Sequence, residues 1–205
     1  EVEIPGVPFS STVTAPHVTR PPRLGEHNAE VFGEQPAAGT PTPAAAPSSP
    51  APSSPTAAAT NTATTNPSPL AGLRIVDLSM FMSGPMVTQI CADAGAEVFK
   101  VESVQRIDGW RGGGRGEVQP WERSPVFNWV NRNKQGITLN LTDPRGADLL
   151  KRLVADADVL IENYTPRVMG NFGLDYETLR AINPRLIMLS MPGFGRTGAW
   201  HDYVA

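Results

Sequence analysis

The sequence predicts an α/β protein: an incomplete doubly wound (Rossmann-like) parallel sheet preceded by a disordered Pro/Ala/Ser/Thr-rich linker. Three observations carry that prediction. Beyond residue 69, short runs rich in Val, Ile and Leu alternate with stretches of helical periodicity. Glycine and proline fall at the borders of those runs. Before residue 69 the composition is of another kind: that part holds 13 of the 21 prolines, and residues 35–68 carry no charge, no aromatic and no aliphatic side chain larger than alanine. Such a stretch cannot bury enough apolar surface to offset its conformational entropy, and its prolines favour an extended spacer. Residues 1–34 are proline-rich but more varied, with Val7, Phe9, Val13, Val18, Leu24, Val31 and Phe32 scattered as in a tail that lies on another surface. Three regions follow: a tail over 1–34, a linker over 35–68 and a domain over 69–205 with a single core.

Within the domain, Leu73–Leu78 reads as a buried strand bounded by Gly72 and Ser79. Gly84-Pro85 opens a helix, with proline in the first turn where its missing N–H costs nothing. Gly95 ends it, and Val87, Ile90, Cys91 and Ala94 form its apolar stripe. Glu97–Glu102 is the next strand, completing a parallel crossover unit. Residues 103–124 are a long Gly- and Arg-rich loop. Gly136–Leu141 is a strand, and Asp143-Pro144 supplies an N-cap followed by proline at the first helical position. Leu149, Leu150, Leu153, Val154 and Ala157 repeat on one side of that helix. Asp158–Glu162 is a strand. Asp175 caps a helix through Ile182, with Leu174 and Leu179 spaced as a hydrophobic staple, and Leu186–Ser190 is the last strand. Ligands in such sheets sit beyond the C-terminal ends of the strands. Those ends lie near Ser79–Gly84, Ser103, Asn163–Thr165 and Met191–Gly195.

Composition excludes several classes. Acidic and basic residues balance over 69–205, and no basic stripe interleaves with aromatics, so the footprint of a nucleic-acid binder is missing. One cysteine, Cys91, allows no intrachain disulfide and no Cys-based zinc site, and it suits a reducing cytoplasm. No run of 18 apolar residues spans a membrane. His17 and His27 lack metal partners at useful spacing, and His201-Asp202 reads as a polar turn. The GGGRG run over 112–116 neither follows a strand nor opens a helix, so it is not a dinucleotide fingerprint. Arg106, Arg111, Arg115 and Arg123 read either as phosphate partners or as a solvated loop.

Five ordered blocks, PLAGLRIVDLS (69–79), GPMVTQICADAGAEVFKVE (84–102), NRNKQGITLNL (131–141), ADVLIENYTP (157–166) and NPRLIMLSMPGFGRTG (183–198), resemble the N-terminal half of the class III CoA-transferase (CaiB/BaiF) family. That family includes formyl-CoA and carnitine CoA-transferases and racemases of 2-methylacyl-CoA. PPRLGEHNAEVF (21–32) resembles the family's last residues. An end, a linker and a start in that order imply the junction of a tandem fusion.

The resemblance implies a site for coenzyme A (CoA), bound as substrate, with no metal. Met82, Ser83 and Gly84 would contact CoA from the loop after the first strand, where the helix presents free N–H groups. Leu139, Asn140 and Thr142 form a second contact, Asn163, Tyr164 and Thr165 a third, and Asn171 a fourth. Asn131, Arg132 and Lys134 fit either strand entry or ligand contact. Two positions depart from the family pattern: Ser103 where many members carry a basic residue or proline, and Thr142 where some carry lysine. The family's nucleophile is an aspartate expected beyond Ala205, so no catalytic residue is assigned. Implied partners are acyl-CoA and carboxylic acid substrates, in an interlocked homodimer or a pseudo-dimeric fusion. A 2-methylacyl-CoA racemase and a non-catalytic CoA-binding module are the alternatives, and residues 1–205 alone are expected to be inactive and to expose apolar surface.

Overall fold

The computed structural model describes residues 18–33, 68–114 and 118–204. Residues 1–17 of the expected tail, the expected linker apart from Ser68, and Arg115 lie outside the described residues.

Five parallel strands form one sheet in the order β3-β2-β1-β4-β5. They are β1 (Arg74–Asp77), β2 (Glu97–Glu102), β3 (Gln135–Thr138), β4 (Val159–Glu162) and β5 (Ile187–Ser190). This is a doubly wound α/β fold. The chain moves outward from β1 to β3, then returns to β4 on the other side of β1, so the winding reverses between β1 and β4.

Six α-helices accompany the sheet among the described residues: α1 (Asn28–Phe32), α2 (Ser83–Asp93), α3 (Pro125–Val130), α4 (Pro144–Ala155), α5 (Arg167–Asn171) and α6 (Tyr176–Ile182). Local chemistry sets their starts. Asp143 caps α4 by accepting from the Arg145 N–H at 2.9 Å, and Asp175 caps α6 by accepting from the Thr178 N–H at 2.9 Å. Ser124, followed by Pro125, caps α3 in the same way. Gly95, at φ +98°, stands just past the end of α2 in the left-handed region that glycine enters without strain.

Alternation along the strands sorts the core. Val76, Leu78, Phe99, Val101, Ile137 and Leu160 face the side covered by α4, α5 and α6, where Leu150, Val154, Met169, Leu174 and Leu179 meet them. Each fully buried Leu or Val there contributes about 1.5–3 kcal/mol. On the opposite side Ile75, Val98 and Ile161 pack on Ala92 of α2.

The helix α2 corrects the predicted stripe. Val87 and Ile90 are exposed, and the buried side is Gly84, Pro85, Thr88, Gln89, Ala92 and Asp93. Cys91 of that stripe does pack against the core, but periodicity alone turned the helix too far, because three inward side chains, Thr88, Gln89 and Asp93, are polar and bonded within the buried charge network. The loop over 103–124 also differs from expectation. It contains two short 3-10 turns, Gly109–Gly113 and Pro120–Glu122, and it buries Arg111 fully.

The two sheet edges differ. Residues 18–33 lie along β3, where the His27 N–H donates to the Gly136 carbonyl at 2.9 Å. On β5, Ile187 and Leu189 are in register with Val159 and Ile161, hence on the α2 side, and are 63% and 40% exposed. Threonine at both positions should reduce dye binding and light scattering of the 205-residue chain, with a stability change within about 0.5 kcal/mol. Unchanged scattering would show that this strand does not drive self-association.

Candidate functional site

The α2 side of the sheet carries charge where the other side carries aliphatics. Asp77 on β1 and Lys100 and Glu102 on β2 alternate with Val76, Phe99 and Val101, and all three charged residues are buried. Their partners come from the segment between β2 and β3. The Lys134 ammonium donates to Asp77 Oδ2 at 3.0 Å, to the Pro85 carbonyl at 2.9 Å and to Asn131 Oδ1 at 2.9 Å. Lys100 reaches Asp108 Oδ2 at 3.1 Å and also donates to the Ser79 carbonyl. Arg111 grips Glu102 with Nε and Nη2, at 2.9 and 2.8 Å, and stacks 3.6 Å from the centre of the Phe127 ring. Arg132 pairs with Asp93 of α2 at 2.8 Å. Among the described residues no buried side-chain nitrogen or oxygen lacks a partner.

Burial alone would raise the Asp77 carboxyl. Lys134 and Lys100 beside it, with the Ser79 and Thr88 hydroxyls, outweigh burial and hold it at about 2. Burial pushes the Lys134 ammonium down to about 8, against the pull of Asp77. Its three acceptors still require the charged form.

This network supports the loop from Ser79 to Met82. The Ser79 N–H donates to Asp77 at 2.9 Å, and the Phe81 N–H lies 3.2 Å from both Asp108 oxygens. From β4, Asn163 binds Met80 twice, accepting from its N–H at 2.9 Å and donating to its carbonyl at 2.7 Å. Phe81 sits at φ +63°, a strained conformation for a side chain of its size. Its ring covers Gly109, where a Cβ would come within 2.4 Å. The first turn of α2 follows with no side-chain cap and no acidic residue, leaving its N–H groups open to an anion.

The result is a crevice where the winding reverses, the place at which α/β sheets of this type take ligands. One cavity of about 550 Å³ is lined by Met82, Ser83, Arg106, Asn163, Tyr164, Thr165, Arg167 and Met191, among others. A second, of about 240 Å³, lies between Leu139, Asn140, Thr142, Ser103 and Tyr164. The two share Met80, Arg106, Tyr164 and Val168, so they are neighbouring compartments. Burial pushes the Tyr164 hydroxyl up to about 12.

Nine of the ten sequence-nominated residues meet here. Met82, Ser83, Asn163, Tyr164 and Thr165 line the larger compartment, and Leu139, Asn140 and Thr142 line the smaller. Gly84 packs behind the loop, where a Cβ would overlap Ser79 Oγ at 2.1 Å. Asn171 is apart, on a shallow hollow shared with Thr142, Lys151 and Phe172. Arg106 is an exposed wall residue, whereas Arg111 is consumed by Glu102 and Glu122. Asn131, Arg132 and Lys134 are buried structural partners. His201 Nε2 lies 3.3 Å from Asp202 Oδ2 on a turn at the surface. Sequence reasoning passed over Arg167, whose short helix α5 shows no periodicity, and Asp108, whose Asp-x-x-Arg spacing to Arg111 was the available signal.

Residues 70–205 match the model of CoA-transferase family III. The chain belongs to that family. It is 44% identical over 137 residues to an acyl-CoA transferase of Fusarium pseudograminearum, covering 64% of this chain and 30% of that protein. Against the succinate–glutarate CoA-transferase of Agrobacterium fabrum it is 40% identical over 139 residues, covering 66% and 35%. A CAIB/BAIF family protein from Brucella suis superimposes with a TM-score of 0.62 at 42% identity, covering 68% of this chain and 37% of that one. The chain thus spans about a third of the length of the CoA-transferases it matches.

The buried charge generates a pH test. Asp77 lies low in the folded chain, so its contribution is complete above the ordinary carboxylate value of about 3.9 and fades as pH falls toward about 2. Urea unfolding should lose roughly 2 kcal/mol through this group between about pH 5 and about pH 2. Asp77→Asn should be less stable at neutral pH and flatter across that window. A variant as steep as wild type would move the acid loss to other carboxylates.

Proposed function

We propose that this chain carries the CoA-binding region of an enzyme that moves CoA between an acyl-CoA donor and a carboxylic acid acceptor. The observation that supports it best is the crevice at the winding reversal, walled by the β1 and β4 loops that Asn163 ties together. Its chemistry suits CoA. Open N–H groups of α2 and the Arg106 guanidinium favour phosphates, with Arg167 beside them in an exposed pair with Asp202, and Met80, Val168 and Tyr164 offer apolar surface to the rest of the molecule. Relatives named as CoA-transferases favour transfer over epimerisation.

The chemistry proposed is covalent. An aspartate outside residues 1–205 attacks the donor thioester carbonyl, expelling CoA thiolate and leaving a mixed anhydride. The thiolate then attacks the aspartyl carbonyl and releases the donor acid. The acceptor carboxylate attacks the resulting aspartyl-CoA thioester, expelling CoA thiolate and forming a second mixed anhydride, and the thiolate returns to cleave that anhydride at the acceptor carbonyl. Acceptor-CoA departs and the aspartate is restored. Residues of the crevice would hold the CoA throughout these exchanges, so the thiolate stays beside the anhydride it must attack. The resemblance of residues 21–32 to the family's last residues favours a place at the junction of two copies, in a pseudo-dimeric fusion or an interlocked dimer. A cytoplasmic setting is proposed on the single half-buried thiol, Cys91. No helix among the described residues is long and apolar enough to cross a membrane.

CoA titrated into the 205-residue chain should protect the amides of residues 82–84 and 163–165 from hydrogen exchange, with affinity that falls as salt rises. Asn163→Ala should weaken binding about tenfold, the equivalent of about 1.4 kcal/mol. Protection confined to other segments would remove the proposal.

A further inference from the structure

Residues 18–33 are seated with a specificity that a passive tail does not need. The His27 N–H donates to the Gly136 carbonyl, and the Gly136 N–H donates back to His27 Nδ1, both at 2.9 Å. Asn28 repeats the exchange one step along: its Oδ1 accepts from the Thr138 N–H at 2.7 Å and its Nδ2 donates to the Thr138 hydroxyl at 2.7 Å. Two consecutive residues thus replace a neighbouring strand for β3. Pro22 and the Arg23 carbonyl lie over Gly136, where a Cβ would come within 2.6 Å of that carbonyl oxygen. Val31 and Phe32 close the contact against the main core.

The same segment touches the supports of both crevice loops. Thr138, clasped by Asn28, leads directly into Leu139 and Asn140 of the smaller compartment. The Leu24 N–H donates to Glu122 at 2.9 Å, and Arg111 Nη2 lies 3.4 Å from the Pro22 carbonyl. Arg111 holds Glu102, Glu102 accepts from the Asp108 N–H at 3.0 Å, and Asp108 accepts from the Phe81 N–H. A continuous chain of bonds therefore runs from the docked segment to the strained residue at the crevice mouth.

We infer that residues 18–33 are a positioning segment for the crevice: a docked peptide that caps β3 and keeps the loops at 79–83 and 139–142 in their ligand-ready form. The inference rests on the CoA reading of the crevice. His27 and Asn28 touch no ligand and act through Thr138, Arg111 and Asp108. Because the seat is built from complementary groups, an untethered peptide of the same sequence fits it as well.

The test uses the full 205-residue chain carrying His27→Ala with Asn28→Ala, read by amide exchange at Gly136 and Thr138 and by CoA titration. Both amides should exchange faster, and the apparent Kd for CoA should rise roughly fivefold to tenfold as the competent crevice population falls. Synthetic peptide 18–33 added in excess should restore both readings. Gly136→Val, which fills the seat from the sheet side, should give the same loss without peptide rescue. If the double variant does not fold, Asn28→Asp keeps the acceptor for the Thr138 N–H, loses the donor to its hydroxyl, and should show a smaller loss in both readings. Faster exchange with CoA affinity unchanged would overturn the inference alone, as would unaltered exchange. A wild-type chain that binds no CoA while the Gly136 and Thr138 amides stay protected would instead overturn the CoA reading, and the inference with it.

Discussion

Charge buried on one side of a parallel sheet is the constraint from which the rest of this structure follows. Desolvation costs several kcal/mol per ion, and a buried pair returns that only if its remaining donors and acceptors are satisfied. Asp77, Lys100 and Glu102 stand on strands that cannot move independently, so the segment from Asp108 to Lys134 must come to them. It does so with Asp108, Arg111 and Lys134, all buried. A long connection that would otherwise be loose is fixed over the sheet by that requirement. Hydrophobic residues of similar volume would supply equal or greater stability. What they could not supply is a set of directional bonds ending at the backbone of Ser79 and Phe81.

Those bonds explain why a residue as large as Phe81 keeps a positive φ. Conformations of this kind cost of order 1–3 kcal/mol and persist where the surroundings over-determine them. Here the surroundings are Asp108 on the Phe81 N–H, Lys100 on the Ser79 carbonyl and Asn163 on both backbone groups of Met80. Gly109 supplies room for the ring. The loop is thereby settled before any ligand arrives, and the uncapped start of α2 faces the crevice.

Much of the fold was legible because its signals are local. Most strand borders came from β-branched runs and glycines, though β3 ends at Thr138 and not at the expected Leu141, and Asp143-Pro144 and Asp175 marked helix starts to the residue. The grouping of most nominated site residues followed from topology, since alternating elements bring the C-terminal strand ends together. Other features depend on long-range pairing. Nothing local says that Lys134 belongs to Asp77, 57 positions away. The face of α2 was misread because hydrophobicity favoured Val87 and Ile90, while the true inner face, with Thr88, Gln89 and Asp93, is polar and already partnered. One signal was present and went unread: Asp77, Lys100 and Glu102 fall on one side of strands whose other side, past Arg74 and Glu97 at the strand starts, is aliphatic or aromatic. The period of two that builds a sheet also sorts its charges. Helices α3 and α5 escaped because five or six residues are too few for periodicity to speak, though Ser124-Pro125 repeats the start signal of Asp143-Pro144.

The edge of β3 shows why a turn and short helix can close a sheet better than another strand. An open parallel edge offers a row of N–H and carbonyl groups to any extended chain that passes. A sixth strand would satisfy that row and then present an identical row of its own. Beyond the one backbone bond from the His27 N–H, His27 and Asn28 satisfy the edge through an imidazole and a carboxamide, side-chain groups that end the pattern. Pro21 and Pro22, just before them, have no N–H with which to extend pairing. Helix α1 then bends the chain away, ending at Gly33 with φ +66°. Pairing therefore stops at one docked segment, and the edge nearest the smaller crevice compartment is sealed by side chains and not by a further strand.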